Sequence, residues 1–190
     1  NLEPGELGQA YIIPRWSRKA GANEANFQLG YKGMIELAYR TGKVRSIHAD
    51  SVCQGDTFHL RVGTGGGFVH EVDYTRPRGE VYAFYAYAEL ADGGWTAKVL
   101  PLDEINEKHR ARSDAYNWAE TGDSKKGGGK KDSPWHTNYH EMSLKTVLRV
   151  LFTWLPKSVD IIDAMEADNG VVMADLAHHH DKGLTVTHED

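Results

Sequence analysis

Cysteine is almost missing from these 190 residues, with Cys53 standing alone. One thiol excludes an internal disulfide and any multi-cysteine zinc site, and it fits a reducing compartment. No run reaches the roughly 18 uninterrupted apolar residues of a membrane span. No basic segment with an apolar run and a small-residue cleavage site opens the chain. The expectation is a cytoplasmic protein without membrane contact. A nucleotide-binding phosphate loop is also missing. In TGDSKKGGGKK, Gly122 and Gly127 have the right separation, but Gly128 follows where the motif needs lysine, and no GK[ST] occurs. No ATP requirement is expected.

Catalytic and metal patterns are equally sparse. His178, His179 and His180 sit in an acidic segment, and His136 and His140 are four apart without HExxH. The hairpin strand WTAKVL lacks the E-x-K element of a metal-dependent nuclease. The expectation is therefore no catalytic residue, no metal and no cofactor. A metal nuclease or an RNA-binding module stands as the alternative. The chain starts at Asn1, directly before LEPGELG and without a methionine, so upstream residues are expected to be missing.

An excess of one charge is absent from most of the chain and concentrated at its end. Residues 158–190 hold one lysine against eight acids, while residues 1–157 hold 21 Lys and Arg against 19 Asp and Glu. This divides the chain into a core, 1–157, and an acidic tail, 158–190. The tail either reduces nonspecific binding, docks a partner or simply solubilises.

Five tryptophans and nine tyrosines point to a folded core. Residues 15–26 read as a polar loop after the short apolar run YII. From Gln28 to Arg40 the residues Tyr31, Ile35, Ala38 and Tyr39 keep helical spacing, and Gly42 is placed to end the helix. VRSIHADSVC, DTFHLRV, GFVHEVDY, EVYAFYAYAEL and WTAKVL are β-branched and aromatic runs, the last two joined by the hairpin signal ADGG. Pro101–Arg112 reads as a short helix with acids first and bases last. Residues 121–134 read as a flexible loop. Asn138–Leu155 reads as a long helix with a leucine stripe closed by Pro156. The fold class is α+β, with an antiparallel sheet of about four or five strands packed by two long helices and one short one.

Several cations sit where phosphate would suit them. Lys145 and Arg149 are four apart on the last helix, about 40° from each other around its axis. They form either a phosphate pair or a solvated face with Glu141. Lys108, Arg110 and Arg112 crowd the end of the short helix, where cations also suit the helix dipole. Lys32, Glu36 and Arg40 make an i, i+4, i+8 ladder typical of surface charge. Gly30 and Gly33 open the first helix, at a place where missing side chains let either a phosphate or another piece of backbone approach. Trp16, Trp118, Trp135 and Tyr139 lie near basic residues, as base-stacking rings or as core.

Four stretches taken together carry more than their parts: LEPGELGQAYIIP, FQLGYKGMIELAYRTGKV, YAFYAYAELADGGWTAKVLPLDEI and SPWHTNYHEMSLKTVLRVLFTWLP. In this order, over roughly residues 2–157, they closely resemble the RecT family of phage and prophage recombination proteins. The resemblance implies an ATP-independent protein that coats single-stranded DNA as a ring or filament of copies and anneals it to a complementary strand. It implies a partner exonuclease, a possible host single-strand-binding protein, and a helical region preceding LEPG. It also places the DNA groove on Gln28, Tyr31, Lys32, Arg110, Arg112, Lys145, Thr146 and Arg149; beside that groove, Gly30 and Gly33 are where either the DNA backbone or the sheet beneath the helix comes close. Leu144, Val150 and Thr153 stand where relatives often carry further bases.

Overall fold

A computed structural model describes residues 5, 7–17, 19–156 and 162. Apart from Ile162, the acidic tail lies outside the described residues. The described chain falls into two compact units, one of residues up to Gly42 with Pro156 onward and one of Lys43–Leu155.

The first unit opens on a hairpin, not on a loop. Strand β1 (Ala10–Ser17) pairs antiparallel with β2 (Ala22–Leu29), so the expected polar loop over 15–26 is largely strand. Most of the turn-proximal half of β2 is exposed, and with no face to bury there is no apolar alternation to announce it. Gln28 belongs to this strand, opposite Tyr11, so helix α1 starts later than its pattern implies, at Tyr31, and runs to Arg40.

The two glycines explain that start. Gly30 is the N-cap, with extended backbone, and its N–H donates to the Gln9 carbonyl at 2.9 Å. A Cβ on Gly30 would overlap the Gly8 carbonyl oxygen, and one on Gly33 would overlap that of Gln9. The backbone that comes close is thus the chain's own. Gly33→Ala is expected to lose about 1–3 kcal/mol through overpacking. Urea unfolding checks this, and full stability would mean that Gln9 does not lie against the helix.

The second unit is three layers deep. Strands β3 (Val44–Cys53), β6 (Val81–Leu90) and β7 (Trp95–Pro101) form an antiparallel sheet in the order β3-β6-β7. The strands β4 (Thr57–Arg61) and β5 (Gly67–Glu71) form a separate hairpin, so the expected single sheet is divided. Side chains alternate along β6. Ala83 and Tyr85 cluster with Val52 and pack under Phe58 and Phe68 of the hairpin. Phe84, on the opposite face, meets the His140 ring of α5 (Tyr139–Phe152) at 5.2 Å. With both faces covered, residues 83–88 (AFYAYA) have no solvent side, which accounts for their lack of polar alternation.

The segment after β7 is helical throughout but changes pitch. It passes from α2 (Leu102–Glu104) through a wide π turn over Ile105–His109 to a tight 3-10 turn at Arg110–Arg112. Helix α3 (Asp114–Thr121) follows, a helix that no apolar periodicity announces; Ser113 caps it by accepting from the Tyr116 N–H at 3.3 Å. The short α4 (Pro134–Thr137) then leads into α5.

The stretch expected to be a flexible lysine loop is instead a folded turn. Asp123 accepts from the Lys125 N–H at 2.9 Å, and the N–H groups of Gly122 and Gly129 both donate to the Trp118 carbonyl. Lys131 donates to the Ala119 carbonyl at 3.0 Å. These bonds satisfy carbonyls that the end of α3 leaves without partners. Gly128 is buried against the backbone of Gly122, where no side chain fits.

Candidate nucleic-acid interface

Helix α5 shows how a basic pair can be placed on a buried element. Ser143, Thr146, Val147, Leu148, Leu151 and Phe152 are buried. At about 100° per residue they cover most of its circumference. The remaining strip carries Met142, Lys145 and Arg149, all half-buried. The two cations stand one turn apart, about 6 Å along the axis. Each already interacts with neighbouring groups of the chain. Thr146 falls on the packed side, and its hydroxyl donates to the Met142 carbonyl at 2.7 Å. It shapes the strip from beneath.

Arg110 is held differently. Its guanidinium carbon lies 5.0 Å from the centre of the Tyr116 ring and 5.8 Å from that of Tyr139. Cation–π attraction fixes the plane of the fork. Its Nε is buried without a hydrogen-bond partner in the structure. Tyr139 is itself set by donating to Asn106 at 2.9 Å, and Tyr116 stacks on the His136 ring at 4.9 Å. His136 bonds on both nitrogens, to Ser133 at 2.7 Å and to Glu120 at 2.8 Å. The bond from His136, followed by the charge of Lys131, holds the Glu120 carboxyl below its usual range. Arg112, in the same turn, is exposed. Lys108 pairs with Glu104 at 3.0 Å.

His136 and His140 therefore serve different neighbours, Glu120 with Ser133 in one case and Phe84 in the other. The candidate stacking rings also separate. Trp135 is buried, Tyr139 is half-buried under Arg110, Trp118 is 46% exposed, and the Trp16 side chain lies outside the described residues.

In the first unit, Lys32 is exposed beside half-buried Tyr31, and its stem passes close to Gly8. Gln28 is half-buried at the end of β2. On α1, Arg40 pairs with Glu36 at 3.3 Å, so that part of the ladder is a surface ion pair. The candidates thus form separate groups: Gln28, Tyr31 and Lys32 in one unit, and Arg110, Arg112, Lys145 and Arg149 in the other.

Sequence reasoning missed one strong polar cluster. Asp56, whose side chain is 1% exposed, accepts from Arg78 Nε at 3.0 Å, from Arg78 Nη2 at 2.7 Å and from the Cys53 N–H at 2.8 Å. His70 Nε2 lies 3.2 Å from the same carboxylate, and its Nδ1 lies 3.1 Å from the Tyr85 hydroxyl. One arrangement satisfies all four groups: Tyr85 donates to Nδ1, and Nε2–H donates to Asp56. The Arg78 bonds outweigh burial and hold the Asp56 carboxyl well below the usual range, while burial pushes the Tyr85 phenol up to about 12. The cluster ties the β4–β5 hairpin to the sheet. Asp56 and Arg78 are 22 residues apart, and no local motif links them.

Fold and site together define an α+β core that sets basic side chains on narrow, partly exposed strips of its helices. The RecT family model matches residues 1–180, and the chain belongs to the RecT family. Protein RecT of Escherichia coli (strain K12) is 35% identical over 170 residues, which cover 88% of this chain and 57% of that protein. Uncharacterized protein YqaK of Bacillus subtilis (strain 168) is 30% identical over 186 residues, which cover 96% and 57% respectively. The chain spans little more than half the length of these relatives. Among the described residues, no helix is long and apolar enough to cross a membrane.

Proposed function

We propose that this chain binds single-stranded DNA and anneals it to a complementary strand in recombination, without ATP and without bond-making chemistry of its own. The observation that carries this reading is the family match over residues 1–180, joined to the Lys145–Arg149 strip on α5. Annealing requires that phosphates be held while base edges stay open. Cations contact the backbone without reading sequence, so a basic strip suits any strand. In this reading Lys145, Arg149, Arg110 and Arg112 hold phosphates, and Gln28, Tyr31 and Lys32 contribute from the other unit. Thr146 supports the strip by packing, and Gly30 and Gly33 let the lead strand seat α1. Several copies act together as a ring or filament in the cytoplasm. An exonuclease supplies the strand, and a host single-strand-binding protein is a further partner. Residues 1–157 are the annealing core and 158–190 an acidic appendage.

The test mixes the protein with labelled complementary oligonucleotides and magnesium, without ATP. Intact duplex is expected to form faster than in its absence, with rings or filaments visible by electron microscopy. Fragments would instead make the protein a nuclease, and preference for RNA oligonucleotides would make it an RNA-binding module. Duplex formation at the protein-free rate would overturn the reading.

A further inference from the structure

The α5 strip and Arg110 leave one basic surface of the second unit without a role. The turn over residues 122–131 carries Lys125, Lys126, Lys130 and Lys131 against a single acid, Asp123, whose Oδ1 already accepts the Lys125 N–H. Lys125, Lys130 and Lys131 are exposed, and Lys131 lies 3.8 Å from Glu120. The turn is not loosely attached: the Gly122 and Gly129 N–H groups converge on the carbonyl of Trp118. Trp118 is 46% exposed, and the benzo edge of its indole lies over Gly122, where a Cβ would collide with it. An exposed tryptophan, lying at one edge over Gly122 and bonded through its backbone to a lysine-rich turn, combines a stacking platform with phosphate-neutralising charge. Those two ingredients bind unpaired strands without regard to sequence.

We propose that Trp118 and the turn 122–131 form a second contact for single-stranded DNA, in which the indole stacks an unpaired base while Lys125 and Lys130 meet the phosphates beside it. The inference rests on the strand-binding reading above but uses none of its residues. Phosphate contacts serve single and double strands alike, whereas an open indole face takes only a base that is not paired. This contact therefore distinguishes the two forms of DNA.

The test measures binding of the whole chain to labelled oligo-dT and to a duplex of equal length. Trp118→Ala is expected to weaken oligo-dT binding about tenfold and duplex binding less than about twofold. Trp118→Phe, which keeps a ring, should retain most of the affinity, and it should also lose part of the tryptophan quenching that oligo-dT causes in the parent. Lys125→Ala with Lys130→Ala should weaken both ligands and lower the salt slope for oligo-dT by about 1.4. Oligo-dT binding unchanged in Trp118→Ala, or an equal loss on both ligands, would overturn the proposal. Running Lys145→Ala with Arg149→Ala in parallel separates the two ideas. If that variant loses oligo-dT while the Trp118 variants do not, only the second contact is wrong. If the parent itself fails to bind oligo-dT, the function reading falls as well.

Discussion

Replacing both Lys145 and Arg149 by alanine is expected to weaken single-strand binding by a hundredfold or more and to abolish annealing. On a bound strand each cation would make charge-assisted bonds, worth about 1.5–3 kcal/mol apiece, so two together would amount to at least about 3 kcal/mol, or roughly two orders of magnitude. The salt dependence should change with the affinity, the slope for a single strand falling by about 1.4 as two phosphate contacts disappear. The fold should survive, because the anchoring residues Val147, Leu148 and Leu151 are untouched, although both half-buried cations interact with neighbouring groups and their loss is expected to cost some stability. Anisotropy titrations at several salt concentrations, alongside urea unfolding, check all three expectations. A variant that anneals as fast as the parent would remove these residues from the interface.

The second large effect concerns the fold. Asp56→Asn should destabilise the second unit by about 3–5 kcal/mol, because it deprives the partly buried Arg78 guanidinium of its counter-charge. Arg78→Met should cost a comparable amount by leaving the Asp56 carboxylate buried without its partner. The double variant is expected to lose less than the sum of the two, since each single change has already broken the pair. Acid should reproduce part of this loss. The native carboxyl titrates well below the unfolded value of about 3.9. Its contribution is therefore complete above about pH 5 and declines as pH falls through 4 toward the native value. Across that range the stability gap between parent and Asp56→Asn should narrow. A gap that stayed constant down to pH 2.5 would mean that the ion pair is not what the substitution removes.

The parts legible in the sequence are those with a concentrated apolar signature, periodic in α5 and continuous in β6. Helix α5 was found from its leucine stripe, and β3 through β7 from their β-branched and aromatic runs. Helical spacing puts Lys145 and Arg149 side by side but leaves a solvated face open, and the resemblance to the RecT family is what singles them out as candidates. The β1–β2 hairpin was missed because its polar arms bury no face near the turn, so alternation had nothing to record. Helix α3 was missed although Ser113 followed by Asp114 is a usable start signal. The lysine turn was read as flexible because its composition cannot form a core. Its order comes instead from backbone donors meeting the carbonyls of α3, which depends on where the helix ends and not on what the turn's side chains are. The Asp56 cluster was illegible for a related reason: its members come from four separate stretches of chain and meet only when the hairpin covers the sheet.

In the turn over residues 122–131, shape and charge are specified by different residues. Glycines and main-chain bonds to Trp118 and Ala119 set the path of the chain, while the charge is carried by lysine side chains of which Lys125 and Lys130 point outward. The charge can consequently be lowered one lysine at a time, by exchange for glutamine, on an unchanged backbone. If the proposed second contact holds, this stretch is a dial for the grip on DNA, adjustable without rebuilding the surface that carries it.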